Sequence, residues 1–308
     1  MTKKIVSLLL CALLCACCLP AMAEGGVTLT DMAGREVTLD APATRIVVLM
    51  PSDCEILYAI GAGETVVGRG EYCNYPEAVF ALPVVNSGSE TNLEEILALA
   101  PQVVVMTKMA QSEEQVAALE NAGVRVLVTD AQTIADTYDC IRLLGELTGK
   151  EAEAEAVIAD MQTRLATVAE KAENTGKTIY FETTPLEYGW GLWSAGKGTF
   201  MDEIATICGL TNIFAEVEGW PMVSEEEVIA ANPDYIATID SYGMNGLDPI
   251  GVITSREAWQ GMDAVVNGNV FMADNDMFTR PAPRLADAAE ALYEFVYGAE
   301  EEAEEPAA

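Results

Sequence analysis

The sequence predicts an α/β protein in which two parallel-sheet lobes are joined by a single long, rigid helix. The first observation is a gapless internal repeat, because a helix-and-strand pattern that starts at Asn92 is copied by one that starts at Ser224. In both copies an N-cap residue opens a short helix, and Pro101 or Pro233 separates that helix from an apolar strand. The second is the alternation of strands and helices in each half, which builds a Rossmann-like sheet covered on both faces. The third is an unbroken helical pattern over residues 150–174, between the halves.

The N-terminal lobe is predicted over residues 24–148. Residues 28–42 alternate in the manner of a short hairpin, and the β-branched run 45–50 is typical of a buried strand. A helix that begins near Asp53 ends at Gly61. The other elements predicted in this lobe are strands at 66–68, 84–85, 103–106 and 124–128, and helices at 92–100, 112–122 and 133–148.

The connecting helix is predicted over residues 149–176. Its acidic start and basic end complement the helix dipole, and roughly 25 residues at 1.5 Å each make it about 37 Å long, enough to span a domain. The C-terminal lobe follows over residues 177–297, and residues 298–308 form an acidic tail of low complexity, which we expect to be disordered. The elements predicted in this lobe are strands at 178–182 and 270–273, helices at 199–208 and 285–297, and the repeated helix and strand at 224–239.

The N-terminus has the pattern of a signal peptide over residues 1–23. Two lysines precede the apolar run 5–14, and Ala-Met-Ala at 21–23 is a small-x-small cleavage site. The sequence Leu-Cys-Ala-Cys at 14–17 is also an imperfect lipoprotein box, so lipidation at Cys17 is the alternative to cleavage after Ala23. No later stretch approaches the roughly 20 apolar residues of a membrane span. We therefore expect an exported protein that is either periplasmic or tethered to the outer face of the cell membrane.

Composition excludes several classes of function. The chain has 16 basic and 49 acidic residues and a net charge of −33, so nucleic acid and anionic lipid are unsuitable partners. It contains no histidine, which excludes Ser-His-Asp hydrolases, histidine zinc sites and imidazole ligation of haem. We expect no cofactor and no protein-bound metal.

Four cysteines lie beyond the signal segment, at 54, 73, 140 and 208. Their spacing fits neither a disulfide scaffold nor a zinc motif. Buried free thiols are our expectation, and a Cys54–Cys73 bridge in an oxidising compartment is the alternative.

Aromatic residues concentrate in glycine-rich loops that follow strands or precede helices. Open α/β sheets bind ligands at that edge. Ordinary packing is the alternative for any single aromatic side chain. The aromatic residues predicted to bind ligand are Tyr72, Trp190, Trp193, Trp220 and Tyr242.

A proline-rich loop before the last helix adds two polar candidates. The Arg280 guanidinium suits a carboxylate or catecholate oxygen, because it offers two parallel donors. Asp276 is a candidate acceptor for amides or hydroxyls of the ligand. The alternative is a local Asp276–Arg280 pair on a solvated loop, and Arg284 is expected to pair within its own lobe.

In each of the two repeats, one glutamate at the start of the helix is not needed for capping. Glu95 and Glu227 occupy the capping-box position, which leaves Glu94 and Glu226 unused. The general preference of acids for helix N-termini is the alternative explanation. Carboxylates on separate lobes suit docking to a partner at two points better than acid–base chemistry, which requires a separation of roughly 5–10 Å.

The chain contains, in order, the motifs RIVVL at 45–49, PS at 51–52 with Glu55, YCNYP at 72–76, NLE at 92–94, WSAG at 193–196, GWP at 219–221, SEE at 224–226 and RPAPR at 280–284. Taken together, these motifs resemble the substrate-binding proteins of ABC importers for ferric siderophores, haem and cobalamin. The resemblance covers about residues 28–297 and implies the helical-backbone type of periplasmic binding protein, which holds its ligand between the lobes and closes little on binding. It also implies that Glu94 and Glu226 contact arginines of the permease, and that Tyr72, Trp193, Trp220, Asp276 and Arg280 occupy cleft positions.

The predicted function is non-enzymatic capture of a metal chelate by a monomer that delivers it to an ABC permease. A ferric siderophore is favoured, and cobalamin or haem is the alternative. Gly88 and Ser89 stand where some cobalamin binders have a tryptophan, and the lack of histidine leaves only tyrosine ligation for haem. The competing class is an exported enzyme that uses Asp276 or Glu182, and a structural surface protein without a ligand is the third.

Overall fold

The computed structural model describes residues 26–87, 91–108, 113–239 and 248–298. The signal segment, the acidic tail after residue 298, Gly88, Ser89 and Tyr242 lie outside them. Within this part of the chain the predicted fold class is confirmed, because two parallel sheets are connected by one long helix.

The N-terminal lobe is built on a five-stranded parallel sheet of order β5-β4-β3-β6-β7. A short antiparallel hairpin, β1–β2, precedes it as the alternation predicted. The central strands β3 and β6 are buried, which explains their continuous β-branched character. The elements are β1 (Val27–Thr30), β2 (Glu36–Leu39), β3 (Ile46–Val48), α1 (Pro51–Ala59), β4 (Val66–Gly70), β5 (Val84–Val85), α2 (Leu93–Ala98), β6 (Val103–Thr107), α3 (Glu113–Asn121), β7 (Arg125–Thr129) and α4 (Ile134–Thr148).

The C-terminal lobe is built on a four-stranded parallel sheet of order β10-β8-β12-β13, beside an antiparallel pair, β9–β11. Four short 3-10 helices complete the described part, at Gly63–Thr65, Glu77–Ala81, Leu186–Tyr188 and Glu257–Trp259. The connecting helix and the elements of this lobe are α5 (Glu151–Lys171), β8 (Thr178–Glu182), β9 (Leu192–Trp193), α6 (Phe200–Ile207), β10 (Thr211–Asn212), β11 (Met222–Val223), α7 (Glu225–Ala231), β12 (Tyr235–Ile239), α8 (Pro249–Ser255), α9 (Asp263–Val266), β13 (Val270–Ala273), α10 (Asn275–Phe278) and α11 (Leu285–Tyr297).

The long helix α5 ties the lobes together through its apolar stripe. Its 21 residues span about 32 Å. One cluster of buried apolar side chains runs from the N-terminal sheet through α4 and α5 to α6 and α11, and Ile158 of α5 lies in it with Ile46, Leu144, Ile204 and Leu292. Because a close-packed interior resists deformation, this shared core holds the lobes in a fixed relation.

The repeated helices begin as predicted, with one difference in capping. Ser224 and Glu227 form a complete capping box, in which the Glu227 carboxylate accepts from the Ser224 amide at 2.8 Å. Asn92 caps α2 by accepting from the amides of Glu94 and Glu95. Glu95 does not complete a box, because the Asn92 amide already donates to the Asn86 carbonyl, and the Glu95 carboxylate accepts from the Asn86 amide instead.

No helix of the described residues is long and apolar enough to cross a membrane. The same residues contain no group of three or more acidic, cysteine or histidine side chains that could hold a metal ion. The four cysteines beyond the signal segment are buried thiols, and those of Cys54 and Cys73 are in hydrogen-bonding contact.

Candidate functional site

A cavity of about 650 Å³ lies between the lobes, at the carboxyl ends of the strands of both sheets. Met50 follows β3, Thr107 and Thr129 end β6 and β7, and Thr183 and Ile239 mark the ends of β8 and β12. Ligands of open α/β sheets bind at this edge, and the volume is within the range of small-molecule sites, about 300–1,000 Å³. The cavity is therefore the candidate ligand site.

Aromatic side chains form much of the cavity wall. Tyr72, Trp190 and Trp220, three of the residues predicted to bind ligand, line it, with Phe200 beside them. Trp190 is 77% exposed and Tyr72 55% exposed, which is unusual for large side chains of this kind. Trp220 packs against Phe200, with 5.3 Å between ring centroids, and its Nε1 donates to Gln132 Oε1 at 2.9 Å across the lobes. Trp190 and Tyr72 are thus largely exposed to solvent, whereas contacts with Phe200 and Gln132 hold Trp220 in place.

Of the other two predicted aromatic residues, the structure describes Trp193 only. Trp193 is not among the lining residues, and its Nε1 donates to the Trp190 carbonyl at 3.2 Å, so it supports the loop that carries Trp190. Tyr242 lies outside the described residues. Phe200 lies in the helix predicted at 199–208 but was not among the aromatic residues predicted to bind ligand. Its signal was the aromatic position directly after the Thr199 N-cap, at the cleft end of α6.

Arg280 lines the cavity, but its charge is compensated. Its Nη1 donates to Glu55 Oε1 at 2.8 Å and to Asn74 Oδ1 at 2.7 Å, and its Nη2 lies 2.6 Å from Asp276 Oδ1. The Arg280 side chain is 8% exposed. Asp276 does not line the cavity. It forms an ion pair with Arg280, which is the pair considered above as the alternative to ligand binding. This pair is formed in a buried contact between lobes and not on a solvated loop.

Arg284 also crosses to the N-terminal lobe. Its Nε and Nη2 donate to the two carboxylate oxygens of Glu55 at 2.8 and 2.6 Å, and its guanidinium lies 4.2 Å from the centroid of the Tyr75 ring. The expected pairing within its own lobe is therefore wrong. The physical reason is that Glu55, in α1, is buried, and a buried carboxylate requires cations that can reach it. We call Glu55, Asn74, Asp276, Arg280 and Arg284 the interlobe charge cluster.

Asp53 is a lining residue that the sequence analysis did not single out. Its carboxylate accepts from Thr129 Oγ1 at 2.9 Å and from the Cys140 thiol at 3.5 Å. Burial raises the pKa of Asp53 to about 6, and the two hydrogen bonds oppose that rise. The cavity wall therefore contains a carboxyl group whose pKa lies well above the ordinary value of an aspartate.

Glu182, the alternative catalytic carboxylate, is not among the residues that line the cavity. It ends β8 and receives two hydrogen bonds from Arg256, at 2.6 and 3.0 Å. Burial raises the pKa of Glu182 to about 7, against the opposing effect of the Arg256 guanidinium. Both acids proposed for an enzyme, Glu182 and Asp276, are thus engaged in ion pairs with arginine.

Glu94 and Glu226 lie exposed in the first turns of α2 and α7. Each helix precedes a central strand of its sheet, so both first turns lie at the same edge of the sheets as the cavity. Their neighbours have structural partners: Glu225 accepts from Trp259 Nε1 at 2.9 Å, and Glu227 caps its helix. Among the described residues neither the Glu94 nor the Glu226 carboxylate has an ion pair or hydrogen bond.

Comparison with known proteins gives the family. The periplasmic binding protein family matches residues 46–277. An uncharacterized ABC transporter substrate-binding lipoprotein of Bacillus subtilis, YvrC, is 32% identical over 278 residues, which are 88% of this chain and 85% of that protein. The vitamin B12-binding protein of Salmonella typhimurium is 30% identical and covers 81% of this chain and 89% of its own length.

Solved structures agree with this assignment. The vitamin B12-binding protein BtuF of Vibrio cholerae superposes with a TM-score of 0.69 at 28% identity, over 83% of this chain and 97% of that one. A possible iron-binding periplasmic solute-binding protein of Staphylococcus epidermidis superposes with a TM-score of 0.71 at 27% identity, over 82% and 98%. The chain belongs to the periplasmic binding protein family, among the substrate-binding proteins of ABC importers.

Proposed function

We propose that this protein captures a metal chelate outside the cytoplasm in the cavity between its lobes and delivers it to an ABC permease. The observation that carries the proposal is the cavity itself, which lies at the ligand-binding edge of both sheets and is walled by Tyr72, Trp190, Phe200 and Trp220. A chelate brings its own metal ligands, so the absence of histidine is no obstacle.

The charge of the site supports a neutral or weakly charged chelate. Of the described residues that line the cavity, Arg280 alone is basic, and Glu55 and Asp276 compensate it. The carboxyl group of Asp53 faces the same space, and the whole chain carries a net charge of −33. A ferric catecholate complex, with several negative charges, would be repelled. Among ferric siderophores, which we favour, neutral hydroxamate complexes fit this environment best.

A corrinoid is the second candidate, because a relative with 30% identity over 81% of this chain is a vitamin B12-binding protein. A corrinoid also satisfies the charge argument, since its periphery consists mainly of neutral amides. The side chains of Gln132, Asn275 and Thr184 line the cavity and are suitable partners for amides.

Isothermal titration calorimetry tests the ligand class directly. A ferric tris-hydroxamate, a ferric tris-catecholate, cyanocobalamin and haemin are titrated into the same preparation, with the Trp220→Ala variant as the control for binding in this cavity. We expect dissociation constants of roughly micromolar or lower for the hydroxamate or the corrinoid. Tightest binding of the catecholate would contradict the charge argument, and the absence of heat with all four would contradict chelate binding.

Glu94 and Glu226 are the proposed docking residues. Two unpartnered carboxylates, one on each lobe beside the cavity, can engage two basic sites of a symmetric permease when the cavity faces it. The test is uptake of the identified chelate by cells that carry only the Glu94→Ala/Glu226→Ala variant. We expect uptake to be lost while calorimetric affinity stays at the wild-type value.

The matched control removes two other exposed acids, Glu64 and Glu170, which lie away from the cavity. We expect the Glu64→Ala/Glu170→Ala variant to transport normally. A similar loss of uptake in both double variants would show a general charge effect, and a loss of affinity in the first would assign Glu94 and Glu226 to the ligand site.

A further inference from the structure

Two buried thiols meet beside the interlobe charge cluster. Cys54 lies in the first turn of α1, and Cys73 lies in the loop after β4. Both are fully buried, and their thiols are in hydrogen-bonding contact. The other two cysteines of the described chain are apart from this pair, because the Cys140 thiol contacts Asp53 and the Cys208 thiol contacts the Ala289 carbonyl.

Each residue of the thiol pair is a neighbour of a residue of the interlobe charge cluster. Cys54 directly precedes Glu55, which binds both Arg280 and Arg284. Cys73 directly precedes Asn74, which bonds with Asp276 at 2.8 Å and with Arg280 at 2.7 Å. The thiol pair thus adjoins both residues that the N-terminal lobe contributes to the cluster, Glu55 and Asn74.

The loop that carries Cys73 has little regular structure to hold it. Arg69 organises it from inside, donating to the carbonyls of Cys73 and Val79 at 2.8 and 2.9 Å. Tyr72, in the same loop, lines the cavity. A covalent link to α1 would fix this loop against the helix whose start also lines the cavity.

We infer that Cys54 and Cys73 are joined by a disulfide bond in the exported protein, and that this bond fixes the loop that contains Tyr72 and Cys73 to α1. The inference depends on export to an oxidising compartment and not on which chelate is bound. The two thiols, which are already in hydrogen-bonding contact, would move together to the sulfur–sulfur bond length of about 2.05 Å.

The bond must form while the chain is folding. In the folded protein both sulfurs are fully buried, so an oxidant cannot reach them. The hydrogen bond with the Cys73 thiol, together with burial, raises the pKa of Cys54 and disfavours the reactive thiolate. The oxidant is a disulfide, of protein or small-molecule type, in the exported compartment. The Cys54 thiolate attacks it to form a mixed disulfide and releases one thiol. The Cys73 thiolate then displaces the second thiol, so that two protons and two electrons leave the pair and the oxidant is reduced to two thiols.

Thiol mapping of the wild-type protein tests the bond without any substitution. The full chain is exported from expressing cells, denatured with an alkylating reagent and no reductant, and analysed by peptide mass mapping. We expect Cys140 and Cys208 to be alkylated, and Cys54 and Cys73 to appear as one linked peptide pair that separates on reduction. Alkylation of Cys54 and Cys73 without reduction, or a link between either of them and another cysteine, would overturn the inference.

Protein made in a reducing cytoplasm is the matched control. It should carry four alkylated cysteines beyond the signal segment and unfold at a temperature lower by roughly 5 °C, and refolding with oxidised glutathione should restore the difference. The Cys54→Ser/Cys73→Ser variant should unfold at the same temperature from either compartment, whereas Cys208→Ser should keep the difference. Equal unfolding temperatures of wild-type protein from both compartments would contradict a stabilising disulfide bond between Cys54 and Cys73.

Discussion

Replacement of Glu55 by glutamine should destabilise the protein far more than an ordinary loss of one surface charge. The Glu55 side chain is 2% exposed and accepts three hydrogen bonds, one from Arg280 and two from Arg284, at 2.6–2.8 Å. In the variant an amide NH₂ group faces guanidinium donors, and the buried Arg280 and the partly buried Arg284 lose their shared counterion. Removal of one partner from a buried ion pair costs about 3–5 kcal/mol.

The lower end of that range applies here, because both arginines keep other contacts. Arg280 retains Asp276 and Asn74, and Arg284 retains the face of the Tyr75 ring. A loss of about 3 kcal/mol corresponds to a decrease in unfolding temperature of about 6 °C or more for a chain of this size. Thermal unfolding followed by circular dichroism measures it.

Glu155→Gln is the matched control for this variant. Glu155 accepts from Arg142 at 2.7 Å, a similar distance, but the two side chains are 58% and 41% exposed. An exposed pair of this kind contributes less than about 1 kcal/mol, so the unfolding temperature should change by no more than about 2 °C. Equal shifts for Glu55→Gln and Glu155→Gln would refute the reasoning that burial gives the interlobe charge cluster its strength.

Three further predictions concern two residues of the cavity wall and one close backbone contact elsewhere in the C-terminal lobe. Trp220→Ala removes a ring that packs on Phe200 and bonds to Gln132, and calorimetry should show at least about tenfold weaker chelate binding with an unchanged stoichiometry. Asp53→Asn should raise the unfolding temperature at pH 8 and leave it unchanged at pH 4. In the wild-type protein the raised pKa of Asp53 contributes its full stabilisation of the folded state below about pH 4, and this stabilisation is lost as the pH rises through about 6. Gly196→Ala places a Cβ 2.1 Å from the Val217 carbonyl oxygen and should lower the unfolding temperature by several degrees, since that backbone cannot give way easily.

Much of the fold could be predicted because its signals are local. The repeat, its N-caps and its prolines placed two helix-and-strand units that the structure contains, and strand 178–182 and helix 285–297 have the predicted bounds. The positions of Tyr72, Trp190 and Trp220 at the cavity were predictable for the same reason, because the order of the elements shows which loops follow the carboxyl ends of strands. Their binding of a ligand stays a prediction.

Pairing between distant charges could not be predicted in this way. Arg280 was expected to meet a ligand and Arg284 a partner in its own lobe, yet both bind Glu55, a residue more than 200 positions earlier in the chain. No local pattern records that contact, because it depends on how one lobe is placed against the other. Asp53 was missed for a related reason: its unusual pKa arises from burial between elements, and a sequence shows only an acid at the start of a helix.

The interlobe contacts also explain why shape and low charge should select the ligand. The charge cluster joins the lobes at one place, and a second set joins them at another, where Gln132 accepts from the Phe200 amide at 2.8 Å and from Trp220 Nε1 at 2.9 Å. Both sets contribute residues to the wall of the same cavity. These are Arg280 from the first set, and Gln132, Phe200 and Trp220 from the second. Closure on a ligand would have to break buried ion pairs in the first set or hydrogen bonds in the second. We therefore expect a cavity that is preformed, in which affinity arises from the fit to its aromatic walls, and in which Arg280 serves the scaffold more than the ligand.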